Sequence, residues 1–243
     1  TPLQIDLTAH REIEKVRQDF LTLASHQLRT PLSGTKWLIE TMQRGVIGEV
    51  TKKQKGYLRQ IYSINERMIK LVFDMLSALR LDSDTAGIKK ESVSVPELYD
   101  DMALSMETVA KARSVSVKNV FKNDKTLVIE TDRELLKSIL ECFISNAINY
   151  SSAGQEITLD AKEETTAVVF LVEDSGIGIP KEEQKRIFER FYRASNAKAM
   201  KPDGTGLGLY IVSMLAKKLG AEILFDSEEG NGSTFYLRVP KSR

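Results

Sequence analysis

Two glycine-rich turns contain the residues of this sequence that are best suited to bind a charged ligand. Residues 173–180 (EDSGIGIP) follow an apolar run, and residues 204–209 (GTGLGL) open an apolar stretch of helical pattern. Alternate glycines let backbone amides approach a ligand closely, and a helix N-terminus adds unpaired N–H groups and a positive dipole. Neither turn has the spacing of a P-loop or of a dinucleotide-binding G-x-G-x-x-G. One such turn alone could be structural, but the pair predicts a polyphosphate site.

Two polar side chains close to these turns have a structural and a ligand-binding interpretation. Asp174 stands where the apolar run ends, so it either caps the turn or accepts a hydrogen bond from an exocyclic amine such as that of adenine. Asn146 lies on the apolar flank of a predicted helix, where an unpaired amide would cost about 1–3 kcal/mol. Its partner is either a backbone group or a hydrated Mg²⁺ held by nucleotide phosphates, because Mg²⁺ prefers a few oxygen ligands and keeps its waters.

His26 is the candidate nucleophile, because a neutral imidazole carries a nucleophilic nitrogen near pH 7. Pro31 follows it in the same predicted helix, removes a backbone donor and clashes with the carbonyl group of Gln27. The resulting bend either serves packing alone or lets the imidazole move between two partners. Nothing distinctive surrounds His10, which we expect to be an ordinary surface residue.

His26 and Pro31 lie among the helices that are predicted in the first third of the chain. A charged, helix-favouring segment runs from about residue 10 to about residue 44, and a second helix is predicted from Lys52 to Leu81. Apolar residues of the second helix recur at alternating steps of three and four, which is the pattern of a coiled-coil seam. So wide a stripe predicts a four-helix bundle made by dimerisation, with a monomeric hairpin packed on the other domain as the alternative. The seam comprises Leu58, Ile61, Met68, Val72, Met75 and Leu79, with polar Asn65 inside it and Ile64 and Leu71 beside it.

After a polar break at residues 82–87, short β-rich runs alternate with helical runs, which predicts an α/β sandwich with helices on one face. Two strand pairs are sequential with short turns, so we expect a mixed or largely antiparallel sheet. The predicted strands cover residues 115–121, 126–130, 156–161, 167–173, 222–226 and 234–239, and the predicted helices cover residues 96–111, 132–150, 181–188 and 206–219.

Composition excludes several classes of protein. The 35 basic and 34 acidic residues nearly cancel, so no net field favours nucleic acid or an anionic membrane. A single cysteine, Cys142, cannot form a disulfide framework or a zinc site, which is consistent with a reducing compartment. No apolar run approaches the roughly 18 residues of a membrane span. Because the chain starts at Thr1 without Met, we expect a fragment of a longer protein.

Four segments of the second half resemble, in order, the N, G1, F and G2 boxes of the ATP-binding domain of sensor histidine kinases. They are Asn146 with its helix, residues 174–178, residues 187–193 (IFERFYR) and residues 204–208. Residues 25–32 (SHQLRTPL) are similar to the H-box of the same family. The resemblance covers nearly the whole chain. It implies a Bergerat-type ATP-binding domain with a mixed sheet, preceded by a helical hairpin that dimerises.

The resemblance implies a catalytic group and a nucleotide-binding group of residues. His26 would be phosphorylated, with Gln27 orienting its imidazole and Thr30 positioning a water that dephosphorylates a partner. Asn146 would bind Mg²⁺ and Asp174 would recognise adenine, under a mobile lid formed by residues 194–203. The other implied contacts of ATP are Asn149, Tyr150, Gly176, Gly178, Ile179, Arg193 as a phosphate contact, Gly204, Thr205, Gly206, Leu207, Gly208, and Thr234 in the adenine network.

Three positions depart from the pattern of the family. Cys142 stands where a second Asn is frequent, which weakens a two-Asn metal site. Asn149 stands where a Lys is common, which removes one cation that would pair with phosphate. Gln27 stands where an acidic residue is frequent, and an amide can orient the imidazole but cannot take up its proton. These departures leave the kinase step possible and make its rate the open question.

The expected function is autophosphorylation of His26 with ATP and Mg²⁺, transfer to an Asp of a response regulator, and phosphatase activity on that regulator. An ATP-driven conformational ATPase of the same superfamily and a weakly active signalling scaffold are the alternatives. We expect residues 1–9 to be the remnant of an upstream sensor, of PAS type, followed by a dimerisation and phosphotransfer domain (10–85), a linker (86–92) and the ATP-binding domain (93–243). The core would act as a cytoplasmic homodimer, also when the full-length protein is membrane-anchored.

Overall fold

The computed structural model describes residues 27–28, 30–81, 87–121 and 127–241. The chain divides into two units, Thr1–Thr85 and Ala86–Arg243. His26 lies outside the described residues, as does the first helix before residue 27. No helix in the described ranges combines the length and the apolar character that a bilayer span requires.

The first unit contains a helical hairpin formed by α1 (residues 30–43) and α2 (Lys52–Leu81). α2 has the bounds predicted from the sequence. Its start is fixed by a capping box, in which the Thr51 N–H donates to Oε1 of Gln54 at 2.9 Å and the Gln54 N–H donates to Oγ1 of Thr51 at 3.3 Å. Gly45 follows α1 with a φ of 72°, a conformation that glycine adopts without strain.

The apolar seam of α2 and the residues beside it divide into two faces. Leu58, Asn65 and Leu76 are buried within the hairpin. Nδ2 of Asn65 donates to the carbonyl oxygen of Leu32 at 3.0 Å, so the polar seam position holds α2 against α1 beside Pro31. A second stripe stays at least two-fifths exposed and keeps the three- and four-residue spacing: Ile61 47%, Ile64 53%, Met68 44% and Leu71 41%.

The second unit is an α/β sandwich with a mixed sheet, as predicted. Its five-stranded sheet has the order β2-β4-β5-β7-β6, in which β2 and β4 are parallel and the other pairs are antiparallel. A separate antiparallel pair joins β1 to β3. The elements are β1 (Glu91–Ser94), α3 (Val95–Ala112), β2 (Ser116–Asn119), β3 (Val128–Thr131), α4 (Arg133–Tyr150), β4 (Glu156–Glu163), β5 (Ala167–Asp174), α5 (Ser195–Met200), α6 (Gly208–Leu219), β6 (Glu222–Glu228) and β7 (Gly232–Pro240).

α4 forms the centre of the core. Asp132 caps its start by accepting a hydrogen bond from the Leu135 N–H at 3.1 Å. Phe143 stacks on Phe235 of β7 with the ring centroids 5.1 Å apart, and α6 packs beside α4. Truncating an aromatic side chain in such a core costs about 3–5 kcal/mol, so this packing fixes the helix firmly against the sheet. The buried residues of α4 are Leu136, Ile139, Leu140, Phe143, Ile144, Ala147 and Ile148.

The prediction of a helix at residues 181–188 is wrong. The segment forms turns on either side of a single 3-10 turn, Gln184–Arg186. Long-range hydrogen bonds explain the difference. The amide of Gln184 donates to the carbonyl oxygens of Ile179 and Ser227, at 3.1 and 3.0 Å, and so ties the segment to β6. β1 was not predicted, because four residues of the sequence ESVS carry no strand signal of their own.

Candidate active site

Asp174 ends β5 at the mouth of the first glycine turn, residues 173–180. Its Oδ1 accepts a hydrogen bond from the Gly176 N–H at 2.8 Å. Burial raises the pKa of the Asp174 carboxyl, while backbone N–H groups of Gly176 and Ser233 favour the charged form and partly offset that rise. The carboxyl group is thus held by backbone donors at the mouth of the turn.

The glycines of the first turn are required by close backbone packing. A Cβ on Gly176 would overlap the carbonyl oxygen of Tyr150, at the end of α4, and a Cβ on Gly178 would overlap that of Glu228. Gly178 also has a φ of 61°, which other residues adopt at a cost of about 1–2 kcal/mol. The Ile177 N–H donates to the Tyr150 carbonyl at 3.0 Å. The turn is therefore held between the end of α4 and the β6–β7 hairpin.

The second glycine turn, residues 204–209, packs on the other end of the same helix face. A Cβ on Gly208 would lie 3.2 Å from Sγ of Cys142. Gly206 has a φ of 70°, and its Cβ would lie 2.7 Å from the carbonyl carbon of Phe191. Cys142, Asn146 and Tyr150 are spaced by four residues and share one face of α4. Asn146 therefore lies between the two turns.

The polar side chains on this face of α4 are half-buried. In the described part of the chain, the hydrogen bond of the Asn146 side chain is a weak one, from Nδ2 to Sγ of Cys142 at 3.9 Å. Nδ2 of Asn149 donates to Oγ of Ser145 at 3.3 Å. Oδ1 of Asn149 accepts a hydrogen bond of 2.6 Å from Nζ of Lys201, which comes from the segment before the second turn.

The lid segment, residues 194–203, contains the short helix α5, and none of the residues of α5 is buried. Arg193 closes the segment into a loop. Its guanidinium donates to the carbonyl oxygens of Ala197 at 2.8 Å and Pro202 at 2.9 Å, and also to those of Lys201 and Gly204. This places Arg193 as a support of the segment, with its donors directed at backbone carbonyls.

Two contacts of the lid segment could not be found from the sequence. Nδ2 of Asn196 donates to the carbonyl oxygen of Gly178 at 3.0 Å, and the Ser195 N–H donates to Oε2 of Glu183 at 2.8 Å. Both contacts join residues far apart in the chain, and neither type of residue is distinctive where it stands. Together they fasten the lid segment to the first glycine turn and to the segment that follows it.

The structure does not bring Thr234 to Asp174. Successive residues of a strand point to opposite faces, and the neighbours of Thr234 in β7, Ser233 and Phe235, are buried on the helix side. Ser233 pairs with Asp174 in the β5–β7 register. Ser233 is therefore the residue of this stretch that lies opposite Asp174, and a part for Thr234 in the adenine network stays a prediction.

The other predicted residues fall into two places. Ile179, Thr205 and Leu207 lie on the two turns, and the Leu207 N–H donates to Oγ1 of Thr205 at 3.3 Å. Gln27 and Thr30 are exposed in the first unit. Among the residues that the structure describes, no three His, Cys, Asp or Glu side chains form a group that could hold a metal ion.

Comparison with protein families matches both units. Residues 16–84 match the His Kinase A (phospho-acceptor) domain, and residues 131–243 match the histidine kinase-, DNA gyrase B- and HSP90-like ATPase. The chain is 32% identical over 237 residues to the sensor histidine kinase WalK of Bacillus subtilis, covering 97% of this chain and 38% of the relative. It is 29% identical to the sensor protein SrrB of Staphylococcus aureus, covering 97% of this chain and 40% of the relative.

Solved structures share the fold of this chain. Full-length ShkA in complex with AMPPNP superposes with a TM-score of 0.73 at 26% identity, over 93% of this chain and 46% of that one. The histidine kinase AdeS of Acinetobacter baumannii has a TM-score of 0.62 over 90% of this chain and 98% of its own, at 18% identity, a likeness of fold alone. With a phospho-acceptor domain followed by an ATPase domain, the chain belongs to the sensor histidine kinases and contains their catalytic core.

Proposed function

We propose that this chain transfers the γ-phosphoryl group of ATP to His26 and then to an Asp of a response regulator. The observation that carries the proposal is the arrangement of two glycine turns on one face of α4. Asp174 lies beside one turn, and Asn146 lies between them. The phospho-acceptor match, residues 16–84, includes His26 and so supplies the nucleophile in the same chain.

The first turn forms the base side of the nucleotide site. The Asp174 carboxylate accepts a hydrogen bond from the exocyclic amine of adenine, because one of its oxygens is already held by the Gly176 N–H. Ser233 takes the supporting place in this network, since its backbone N–H stabilises the carboxylate. Tyr150 and Ile179, both half-buried, line the same side.

The second turn forms the phosphate side. α6 starts at Gly208, and its N-cap residue, Leu207, makes no side-chain capping hydrogen bond within the described residues. The side chain of leucine has no acceptor for the backbone N–H groups of the first turn of α6, and a helix N-terminus favours negative charge. Gly204 and Gly206 allow the backbone to come close to the phosphates.

The donor set of the site fits Mg²⁺. Asn146 is half-buried, and its amide donates only weakly to Cys142, so its oxygen remains for a ligand. One amide oxygen suits a cation that keeps several waters and takes its other ligands from phosphates. When bound, Mg²⁺ would neutralise charge that develops on the phosphates during transfer.

Phosphoryl transfer requires a neutral imidazole at His26. The nitrogen that carries the lone pair attacks the γ-phosphorus in line, a P–N bond forms, and the bond to the leaving ADP oxygen breaks. The phosphorylated ring then releases the proton of its other nitrogen to solvent water. Gln27 orients the imidazole by a hydrogen bond but takes no proton. Thr30 positions the water that dephosphorylates the response regulator. Both residues are exposed in the first unit.

The hairpin acts as a homodimer. The exposed stripe of Ile61, Ile64, Met68 and Leu71 keeps the spacing of a coiled-coil seam after the hairpin has formed. Burying each of these side chains against a second copy contributes about 1.5–3 kcal/mol. We propose residues 10–85 as this dimerisation and phosphotransfer domain, with linker 86–92, ATP-binding domain 93–243 and an upstream sensor before residue 10.

Incubation with γ-³²P-ATP and Mg²⁺ tests the proposal. Phosphate on the protein that is labile in acid and stable in base identifies phosphohistidine. His26→Ala should abolish the label, whereas His10→Ala, which removes the only other histidine of the sequence, should keep it. Label that persists in His26→Ala would refute the proposed acceptor. Steady phosphate release without a phosphoprotein would instead identify a conformational ATPase, and absence of ATP binding a scaffold.

A further inference from the structure

Lys201 brings a positive charge to the face of α4 that carries the proposed nucleotide site. Its Nζ donates to Oδ1 of Asn149 at 2.6 Å. Asn149 lies three residues after Asn146, on the same flank of the helix. Lys201 stands shortly before Gly204, where the proposed phosphate-binding turn begins. An ammonium group therefore lies beside the polar residues that would face the phosphates.

The main chain of Lys201 is held in place from two sides. Its N–H donates to the carbonyl oxygen of Ala197 at 3.1 Å, and its own carbonyl oxygen accepts a hydrogen bond from Nη2 of Arg193. Arg193 also donates to Pro202 and Gly204, so its guanidinium holds the segment from both ends. Arg193 is thereby a positioning residue, and Lys201 is the cation that the segment directs at α4.

Asn149 is a neutral partner for this cation. Asn149 carries no charge, whereas a phosphate oxygen is negative, so a hydrogen bond from the ammonium group to phosphate adds a Coulomb attraction that the amide of Asn149 does not supply. A lysine has three donors, so Nζ can contact phosphate and keep its hydrogen bond to Asn149. The geometry points to Lys201 as the cation that pairs with the β- or γ-phosphate of the bound nucleotide, an inference that rests on the proposed nucleotide site.

Calorimetric titration of the whole chain with Mg-ATP and with AMP tests this role. Lys201→Ala should weaken Mg-ATP binding by about 10-fold and leave AMP binding unchanged, since one charge-assisted hydrogen bond to phosphate is lost. Lys198→Ala is the matched control, because Lys198 belongs to the same segment but lies over the ring of Tyr192, with Nζ 5.9 Å from its centroid. This control should bind both nucleotides like the wild type.

A double variant that moves the lysine to another position distinguishes the effect of its charge from a structural effect of Lys201→Ala. Asn149→Lys combined with Lys201→Ala moves the cation from the lid segment to α4 and should recover most of the lost affinity for Mg-ATP. Unchanged Mg-ATP affinity in Lys201→Ala, an equal loss for AMP, or no recovery in the double variant would overturn the inference and leave the proposed function standing. Absence of Mg-ATP binding by the wild type would overturn both.

Discussion

Replacing Asp174 with Asn removes the charge of the base-recognition group while keeping its shape. The amide oxygen can still accept the Gly176 N–H, which now lies 2.8 Å from Oδ1. The exocyclic amine of adenine then meets a neutral acceptor, or the amide NH₂ group. A hydrogen bond to a charged group contributes about 1.5–3 kcal/mol, which corresponds to a loss of roughly 10- to 100-fold in affinity.

The assay is calorimetric titration of Asp174→Asn with Mg-ATP and with AMP. The control variant is Asp226→Asn, because Asp226 is an exposed residue of β6 in the same sheet. Asp174→Asn should weaken the binding of Mg-ATP and of AMP equally, because both nucleotides carry the adenine base. This separates it from Lys201→Ala, which should affect Mg-ATP alone. An AMP affinity that is the same in Asp174→Asn and the wild type would refute the assignment of Asp174 to the base.

The same variant makes a prediction about stability. Burial raises the pKa of Asp174, so the carboxyl group stays protonated to a higher pH in the folded chain than in the unfolded chain. In the unfolded chain its pKa is near the ordinary value of 3.8. The contribution of Asp174 to stability therefore falls as pH rises from that value through the pKa of the folded state. Asp174→Asn should gain stability relative to the wild type over this window and hold the gain at neutral pH.

Thermal unfolding followed by far-UV circular dichroism from pH 4 to pH 7 measures that difference. The single tryptophan of the sequence, Trp37, lies in α1, so its fluorescence reports the transition of the first unit separately. A difference between Asp174→Asn and the wild type that stays constant across this range would contradict the burial argument.

Two further substitutions test the steric and the dimer interpretations. Gly178→Ala should destabilise the chain by about 2–5 kcal/mol in thermal unfolding, because it combines positive-φ strain with backbone overlap. The control Gly154→Ala should cost only about 1–2 kcal/mol, because Gly154 has a φ of 86° but nothing lies within 4 Å of an added Cβ. Equal costs would show that the overlap at Gly178 is relieved. Ile64→Glu should give a monomer in sedimentation velocity, because it places charge on the exposed stripe, and Lys70→Glu, on the opposite side of α2, should leave the dimer intact. A dimeric Ile64→Glu would exclude the stripe as the interface.

Sequence reasoning was most successful where the signal is local. α2 was predicted with both of its bounds, because its apolar spacing is regular, and the structure adds the capping box of Thr51 and Gln54 at its start. Both glycine turns were found from their composition, and the structure explains that composition by overlaps at Gly176 and Gly178.

What could not be predicted depends on contacts between distant segments. Gln184 ties its segment to β6 and prevents the expected helix, although the residues themselves favour one. The position of Ser233 opposite Asp174 follows from the register of β7, which a sequence does not reveal to a single residue. The contact of Lys201 with Asn149 joins residues on different elements and carries no local pattern.

The contact of both glycine turns with α4 has a consequence for the size of the ligand. Gly208 meets the helix at Cys142 and Gly176 meets it at Tyr150, and a rise of about 1.5 Å per residue separates these points by about 12 Å. Because the helix packs firmly in the core, it fixes the distance between the two glycine turns at the ends of the site. A nucleotide long enough to reach both turns gains from both at once. A nucleotide shortened by phosphoryl transfer gives up contacts at one end, which favours its release before the next turnover.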